Sequence, residues 1–256
     1  MQPTLAATEV RRNLTQYLST TFALADEPVR EALEGFLNDP VHGIFRGPYL
    51  RIRTPFRRAG DDWRRHLEWA PAGFAPYRHQ AAAFERLSTL HSPAEPTLIT
   101  TGTGSGKTES FLLPILDHCR RERARGHTGV KAVVLYPMNA LATDQAKRLS
   151  DYLARPGLER VTGGLYIGDT PESGYDRVLT QRSEIRRNPP DILVTNYKML
   201  DLLLQRDADV CLWQGSDLAY VVVDEFHTYD GAQGTDVAML LRRLGAASGA
   251  AEPGRP

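Results

Sequence analysis

What this chain has little of narrows the classes open to it. Only two cysteines occur in 256 residues, Cys119 and Cys211, too few for a disulfide scaffold. Neither has a second cysteine or histidine at metal-ligand spacing, and both read as buried thiols of a reducing compartment. The adjacent Asp117, His118 and Cys119 point in different directions on a helix, so they are not expected to share a metal. An excess of one charge is also missing: 31 Lys and Arg face 31 Asp and Glu, so any affinity for a polyanion has to come from a local patch. The longest apolar runs, near Phe111 to Leu116 and Leu218 to Val223, fall far short of the roughly 20 residues of a membrane helix. The opening MQPTLAATEVRR lacks an apolar signal core. A cytoplasmic protein with no membrane partner is the expectation. There is no internal repeat.

What is present has two textures. Val10, Leu14, Tyr17, Leu18 and Phe22 recur at three- and four-residue spacing and describe one face of a helix. A second helix follows, with Asp26 as its cap, Pro28 in its first turn and Val29, Leu33, Phe36 and Leu37 as its stripe. The stretch GIFRGPYLRIRTPFRRAGDDWRR is broken by Gly and Pro and predicts a short strand within irregular connections. After about residue 70, short apolar strands alternate with helical runs. The candidate strands are Thr97 to Thr100, Ala132 to Tyr136, Gly164 to Ile167, Ile192 to Thr195 and Tyr220 to Val223. Helices are expected to begin near Lys107, Asn139, Tyr197 and Gln233. Such alternation requires a parallel sheet with helices on both faces, an α/β fold preceded by a mainly helical extension. The boundaries that follow are an extension over 1–69, a main domain over 70–244, and a linker-like tail over 245–256.

The candidate strand PTLIT runs into Thr101-Gly102-Thr103-Gly104-Ser105-Gly106-Lys107-Thr108, and a helical run opens at the lysine. This is the setting of a phosphate loop. Glycines let backbone N–H groups turn toward phosphate oxygens, and the helix N-terminus adds its positive end. Lys107 can then reach the β- and γ-phosphates, and the Thr108 hydroxyl can bind Mg²⁺. Thr101 stands where the general pattern has its first glycine. A phosphate loop also needs a metal anchor and a group that activates water. Asp224-Glu225-Phe226-His227 begins at the end of the apolar run Tyr220 to Val223, on the side where ligands bind open α/β sheets. Asp224 would hold the metal through water and Glu225 would polarise the attacking water.

In these residues the chain resembles the superfamily 2 DEAD/DEAH-box helicases, whose motif I reads A-x-x-G-x-G-K-T and whose motif II reads D-E-x-[HD]. Thr101 replaces the usual alanine, and Phe226 takes the variable third place of motif II. Tyr77-Arg78-His79-Gln80 is similar to the L-Y-x-H-Q form of the adenine-sensing Q motif. Tyr136-Pro137-Met138-Asn139-Ala140-Leu141-Ala142-Thr143-Asp144-Gln145 resembles motif Ia of a narrower group, the RecQ-related DNA repair and defence helicases. Gly168-Asp169-Thr170-Pro171, Thr195-Asn196-Tyr197-Lys198-Met199-Leu200 and Asp224 to Gly231 are similar to further motifs of that group. The likeness spans roughly residues 70 to 244.

The resemblance implies a P-loop NTPase lobe of the RecA type over 70–244. ATP would be held by Gln80 at the adenine edge and by Thr103, Gly104, Ser105, Gly106, Lys107 and Thr108 at the phosphates, with Thr108 and Asp224 holding Mg²⁺. Lys107, Asp224 and Glu225 would carry the chemistry. Pro137, Asn139, Gln145, Thr195 and Asn196 would face a phosphate backbone, DNA being favoured by the family alone, and His227 would couple the two sites. Two bland readings stand beside these: Thr195-Asn196 can be a plain helix cap, and His227 a core histidine. Arg46, Arg51, Arg53, Arg57, Arg58, Arg64 and Arg65, interleaved with Phe45, Tyr49, Phe56 and Trp63, suit either a nucleic-acid contact or a solvated face. The family places ATP between two such lobes, and this chain shows the motifs of one. A second lobe, in the full-length protein or a partner chain, is therefore expected to supply an arginine finger worth about 10³ to 10⁵ in rate, and hydrolysis by the chain alone should be feeble. The rival is a non-catalytic nucleic-acid-binding or assembly module with a vestigial nucleotide site.

Overall fold

Four-residue strands that are apolar at every position have to be covered on both faces, and the computed structural model shows how this chain does it. The described residues are 3–45, 55–102, 104–168 and 175–249. They fall into two compact units, divided between residues 55 and 56. The dividing line lies before 69 because Trp63, Leu67 and Trp69 are buried with the core of the second unit.

The first unit is a helical pair, α1 (Pro3–Thr21) and α2 (Glu27–Asn38). Asp26 caps α2 as expected, its carboxylate accepting from Val29 N at 3.2 Å, and Pro28 lies in the first turn, where no intrahelical N–H is lost. The apolar stripes do not form a core here. Val10, Tyr17, Phe22, Val29 and Phe36 are all more than half exposed, while Thr15, Ser19, Arg12 and Glu34 line the groove between the helices. The short strand expected after this pair falls mostly on residues 46–54, outside the described residues; beyond them an isolated antiparallel bridge joins Arg58 to Tyr77.

The second unit is built on five parallel strands: β1 (Ala132–Leu135), β2 (Gly163–Tyr166), β3 (Val178–Leu179), β4 (Ile192–Thr195) and β5 (Tyr220–Val223). Their order is β3-β2-β4-β1-β5, with Leu135 in register with both Thr195 and Val223. Side chains alternate across a strand. In β1, Ala132 and Val134 therefore enter one core with Leu113, Leu116, Ala146 and Leu165, whereas Val133 and Leu135 enter another with Leu200, Leu203, Leu240 and Leu244. The first core is closed by α3 (Arg78–Leu87), α4 (Lys107–Ala124) and α5 (Asn139–Leu153), the second by α7 (Tyr197–Gln205) and α8 (Gly231–Ala247). A short α6 (Arg182–Arg187) lies between β3 and β4. Each fully buried Leu or Ile contributes about 1.5–3 kcal/mol. The strand β2 begins Gly-Gly because a Cβ at Gly163 would meet Leu149 Cδ2 at 2.9 Å, so glycine lets α5 lie close.

Thr97 to Thr100 is not a strand. The segment joins no strand among the described residues, and Leu98 is 73% exposed. Its start is tied instead to α3: Arg86 Nη2 donates to Pro96 O at 3.0 Å and Arg86 Nε to Thr97 Oγ1 at 3.2 Å. With Pro96 lacking an N–H, the run opens without a ladder donor. Below the sheet, the fully buried Asp191 accepts from Lys131 Nζ, Arg123 Nε and Thr162 N, each at 2.8 Å. This cluster locks the start of β1 to the start of β4. Cys119 is buried as expected, whereas Cys211 is partly exposed because it lies on a short 3-10 turn over Asp207–Leu212.

Candidate functional site

The phosphate loop turns on two glycines in left-handed conformation, Gly104 (φ 76°) and Gly106 (φ 75°), and Gly106 caps α4. A Cβ at Gly106 would meet Gln80 Nε2 at 2.5 Å, so the position is restricted twice over, by φ and by space. Gln80 is buried, and both ends of its amide are engaged: Oε1 accepts from Tyr77 N at 2.8 Å and Nε2 donates to Gly106 O at 2.9 Å. Its first task is thus to hold the loop against α3. A ring nitrogen of His79 lies 3.0 Å from Ser105 O and adds a second tether. Lys107 Nζ donates to Thr101 O at 3.1 Å, bridging the mouth of the loop, and Thr108 is half-buried in the first turn of α4. Thr103 lies outside the described residues.

The acidic pair stands on the neighbouring edge. Asp224 N continues the sheet ladder by donating to Leu135 O at 3.0 Å, which points Asp224 out of the C-terminal end of β5. Its Oδ1 accepts from Glu225 N at 2.9 Å. Burial pushes the Asp224 carboxyl above the usual carboxylate range; the charge of Glu225 adds to this, while the Glu225 N–H bond and the positive charge of Lys107 oppose it. Lys107 is thus among the charges that act on Asp224. Glu225 is the one non-glycine residue with positive φ among the described residues (φ 48°), a conformation that costs an L-residue about 1–2 kcal/mol. His227 Nδ1 lies 3.3 Å from Glu225 Oε2 and its side chain is 79% exposed, which excludes the core-histidine reading.

The expected track residues share this edge of the sheet because β1, β4 and β5 end in register. Asn196 caps α7, its Oδ1 accepting from Met199 N at 2.8 Å, and its Nδ2 donates to Asn139 Oδ1 at 2.7 Å. The cap reading and the juxtaposition with Asn139 thus hold together. Thr195 is fully buried and its hydroxyl donates to Tyr166 O at 2.6 Å, so this side chain is committed to the sheet. Pro137 and Gln145 are half-buried at the start of α5 and along it. Asp169 and Thr170, like Arg46, Arg51 and Arg53, lie outside the described residues.

Sequence reasoning missed an aromatic group beside the loop. The ring of Phe56 lies 5.5 Å from that of Tyr77 and 5.7 Å from that of His79, Tyr77 and His79 are stacked at 5.9 Å, and Arg58 sits over Tyr77 at 4.5 Å. Phe56 and Arg58 were grouped with the arginine-rich segment, and only the fold brings them to the loop; the isolated Arg58–Tyr77 bridge is what does so. Trp63, read as a stacking residue, is buried in the core. Behind the loop, Glu109 is buried and accepts from Arg148 and from Tyr152 Oη.

The sequence model of the DEAD/DEAH box helicase family matches residues 77–253, from the Q-motif-like segment through the acidic pair and α8. The chain belongs to this family. Among its relatives, the Druantia protein DruE of Escherichia coli is 28% identical over 91% of this chain and 19% of its own length. A DUF1998 helicase, MrfA, solved with DNA and AMPPNP, is similar with a TM-score of 0.56 at 26% identity, over 76% of this chain and 26% of that one. The Mycobacterium smegmatis helicase Lhr, solved with single-stranded DNA and AMP-PNP, gives a TM-score of 0.52 at 28% identity, over 68% and 21%. The chain spans about a fifth of the length of the curated relatives it matches. These relatives carry the DEAD/DEAH-box assignment and leave the narrower RecQ kinship as an expectation. Among the described residues no helix is long and apolar enough to cross a membrane.

Proposed function

We propose that this DEAD/DEAH-box lobe is the nucleotide-binding half of an ATP-dependent DNA helicase or translocase. The observation that carries the reading is the glycine loop opening α4 with Lys107 across it, together with Asp224 at the C-terminal end of β5 and the Asn139–Asn196 bridge at the same ends of the strands. The half-buried Thr108 and the carboxylate of Asp224 offer an all-oxygen set of the kind Mg²⁺ takes, and they would hold it. Held there, it would supply positive charge to offset that of the phosphates. Lys107 leaves Thr101 O for the phosphate oxygens, Glu225 orients the attacking water, and the Phe56–Tyr77–His79 group offers aromatic rings against which adenine would pack. Asn139 and Asn196 meet phosphate and sugar, which makes binding weakly sequence-dependent and salt-sensitive. The relatives solved with DNA favour DNA over RNA, and a role in repair or phage defence rests on family likeness. An intact Lys107, Thr108, Asp224 and Glu225 speaks against a vestigial site in a non-catalytic module.

The test is titration of a fluorescent ATP analogue into wild type and Lys107→Ala. Affinity is expected to fall at least about tenfold, the loss of one charge-assisted phosphate contact being worth about 1.5–3 kcal/mol. Unchanged affinity sinks the phosphate-loop assignment.

A further inference from the structure

At the N-terminal ends of the strands, remote from the phosphate loop along the sheet, three side chains meet that no step above uses. Glu122 is on the last turn of α4, His127 in the turn that leads to β1, and Asp217 in the loop that leads to β5. Each offers one metal-ligating atom, and these atoms all lie within 4.8 Å of one another. His127 Nδ1 and Glu122 Oε2 are 2.6 Å apart and share a proton, while Arg125 occupies the other oxygen of Glu122. The loops that carry His127 and Asp217 are in contact, since a Cβ at Gly129 would stand 3.6 Å from Gly215 O and from Ser216 Cα. Glu122 is buried and the other two are exposed, so an ion arriving from solvent would find one fixed ligand and two adjustable ones.

The same helix carries a second group of interest. His118 lies one helical turn before Glu122 on the same side of α4 and is only 6% exposed. Its Nδ1 is 2.7 Å from Thr89 Oγ1, but its Nε2 is buried with no hydrogen-bond partner among the described residues. A buried unpaired ring nitrogen is costly, and such groups call for an explanation.

We propose that Glu122, His127 and Asp217 form a binding site for a zinc-like divalent transition-metal ion, with water completing a four-coordinate set. A set of imidazole and carboxylate ligands suits zinc, whereas Ca²⁺ and Mg²⁺ take oxygen ligands in larger number. Around a tetrahedral ion with bonds of about 2.0–2.2 Å, ligand atoms lie about 3.3 Å apart, so His127 must open slightly from Glu122, and Asp217 has at most about 1.5 Å to close. The ion displaces the proton between His127 and Glu122, which leaves to solvent. It would then clamp the end of α4 to the lead-ins of β1 and β5 and steady the frame from below.

Cobalt(II), a visible stand-in for zinc, is titrated into the nucleotide-free chain. The expected result is one equivalent bound, with the absorption of a four-coordinate ion and displacement by zinc, and a Tm that rises with zinc. His127→Ala and Asp217→Asn alter exposed positions and should fold, as circular dichroism would verify, yet each should weaken cobalt binding at least about tenfold. Absence of a cobalt signal from the wild-type chain, or wild-type affinity in both variants, overturns the site.

Discussion

Glu225 is where conformation and chemistry meet at a single residue. Its left-handed backbone turns the chain after Asp224, whose carboxylate accepts from Glu225 N. The charge of Lys107 acts on the Asp224 carboxylate, and His227 faces that of Glu225. If Glu225 orients the attacking water, Glu225→Gln should keep nucleotide affinity and lower hydrolysis about 10²- to 10⁴-fold in a protein that carries both lobes, as single-turnover assays would read. Near-normal turnover would remove Glu225 from that role. The placing of Lys107 and Thr108 at a glycine loop opening α4, and of Asp224 and Glu225 at the end of β5, was legible in the sequence because the motif spacing dictates it; their roles stay part of the proposal. Phe56 was not, since its place beside the loop depends on a single bridge between Arg58 and Tyr77. Nor was the left-handed turn at Glu225, because nothing in a glutamate side chain announces it.

Among elements, α7 has the most to say about separation of sites. Its cap, Asn196, uses the amide oxygen for Met199 N and the amide nitrogen for Asn139. Asn196→Asp keeps the cap acceptor, whose loss would cost about 0.5–2 kcal/mol, and removes the donor. Single-strand DNA affinity, followed by fluorescence anisotropy, should fall several-fold with ATP-analogue affinity unchanged. Equal loss of both would mean that the two sites are not separable at this helix. The strands β1 and β4 were readable as apolar runs because burial on both faces favours apolar side chains. By contrast β3 and α6, of two and six residues, are too short to express a period. Thr97 to Thr100 misled because its pattern is that of a strand, while strand pairing is decided by neighbours. The stripes of α1 and α2 predicted the helices correctly but not what they pack against.

For the whole molecule, a parallel sheet covered on both faces puts every ligand-facing loop at one end and leaves the other end to hold the frame together. Asp191 with Lys131 and Arg123 is the result at that lower end, a cluster invisible to local pattern because its members are far apart in sequence. The outer margin of the sheet has a different consequence. β5 closes the strand order on one side, its four residues carry no charge, and Val221 is 40% exposed. Unpaired backbone groups along such a margin are a template for another chain, and natural proteins blunt them with charge. The purified chain should therefore self-associate with rising concentration. Val221→Lys should lower that light scattering while leaving ATP-analogue binding intact. If the scattering is unchanged, the margin is already shielded, and what the lobe would otherwise offer to any passing strand is kept out of reach.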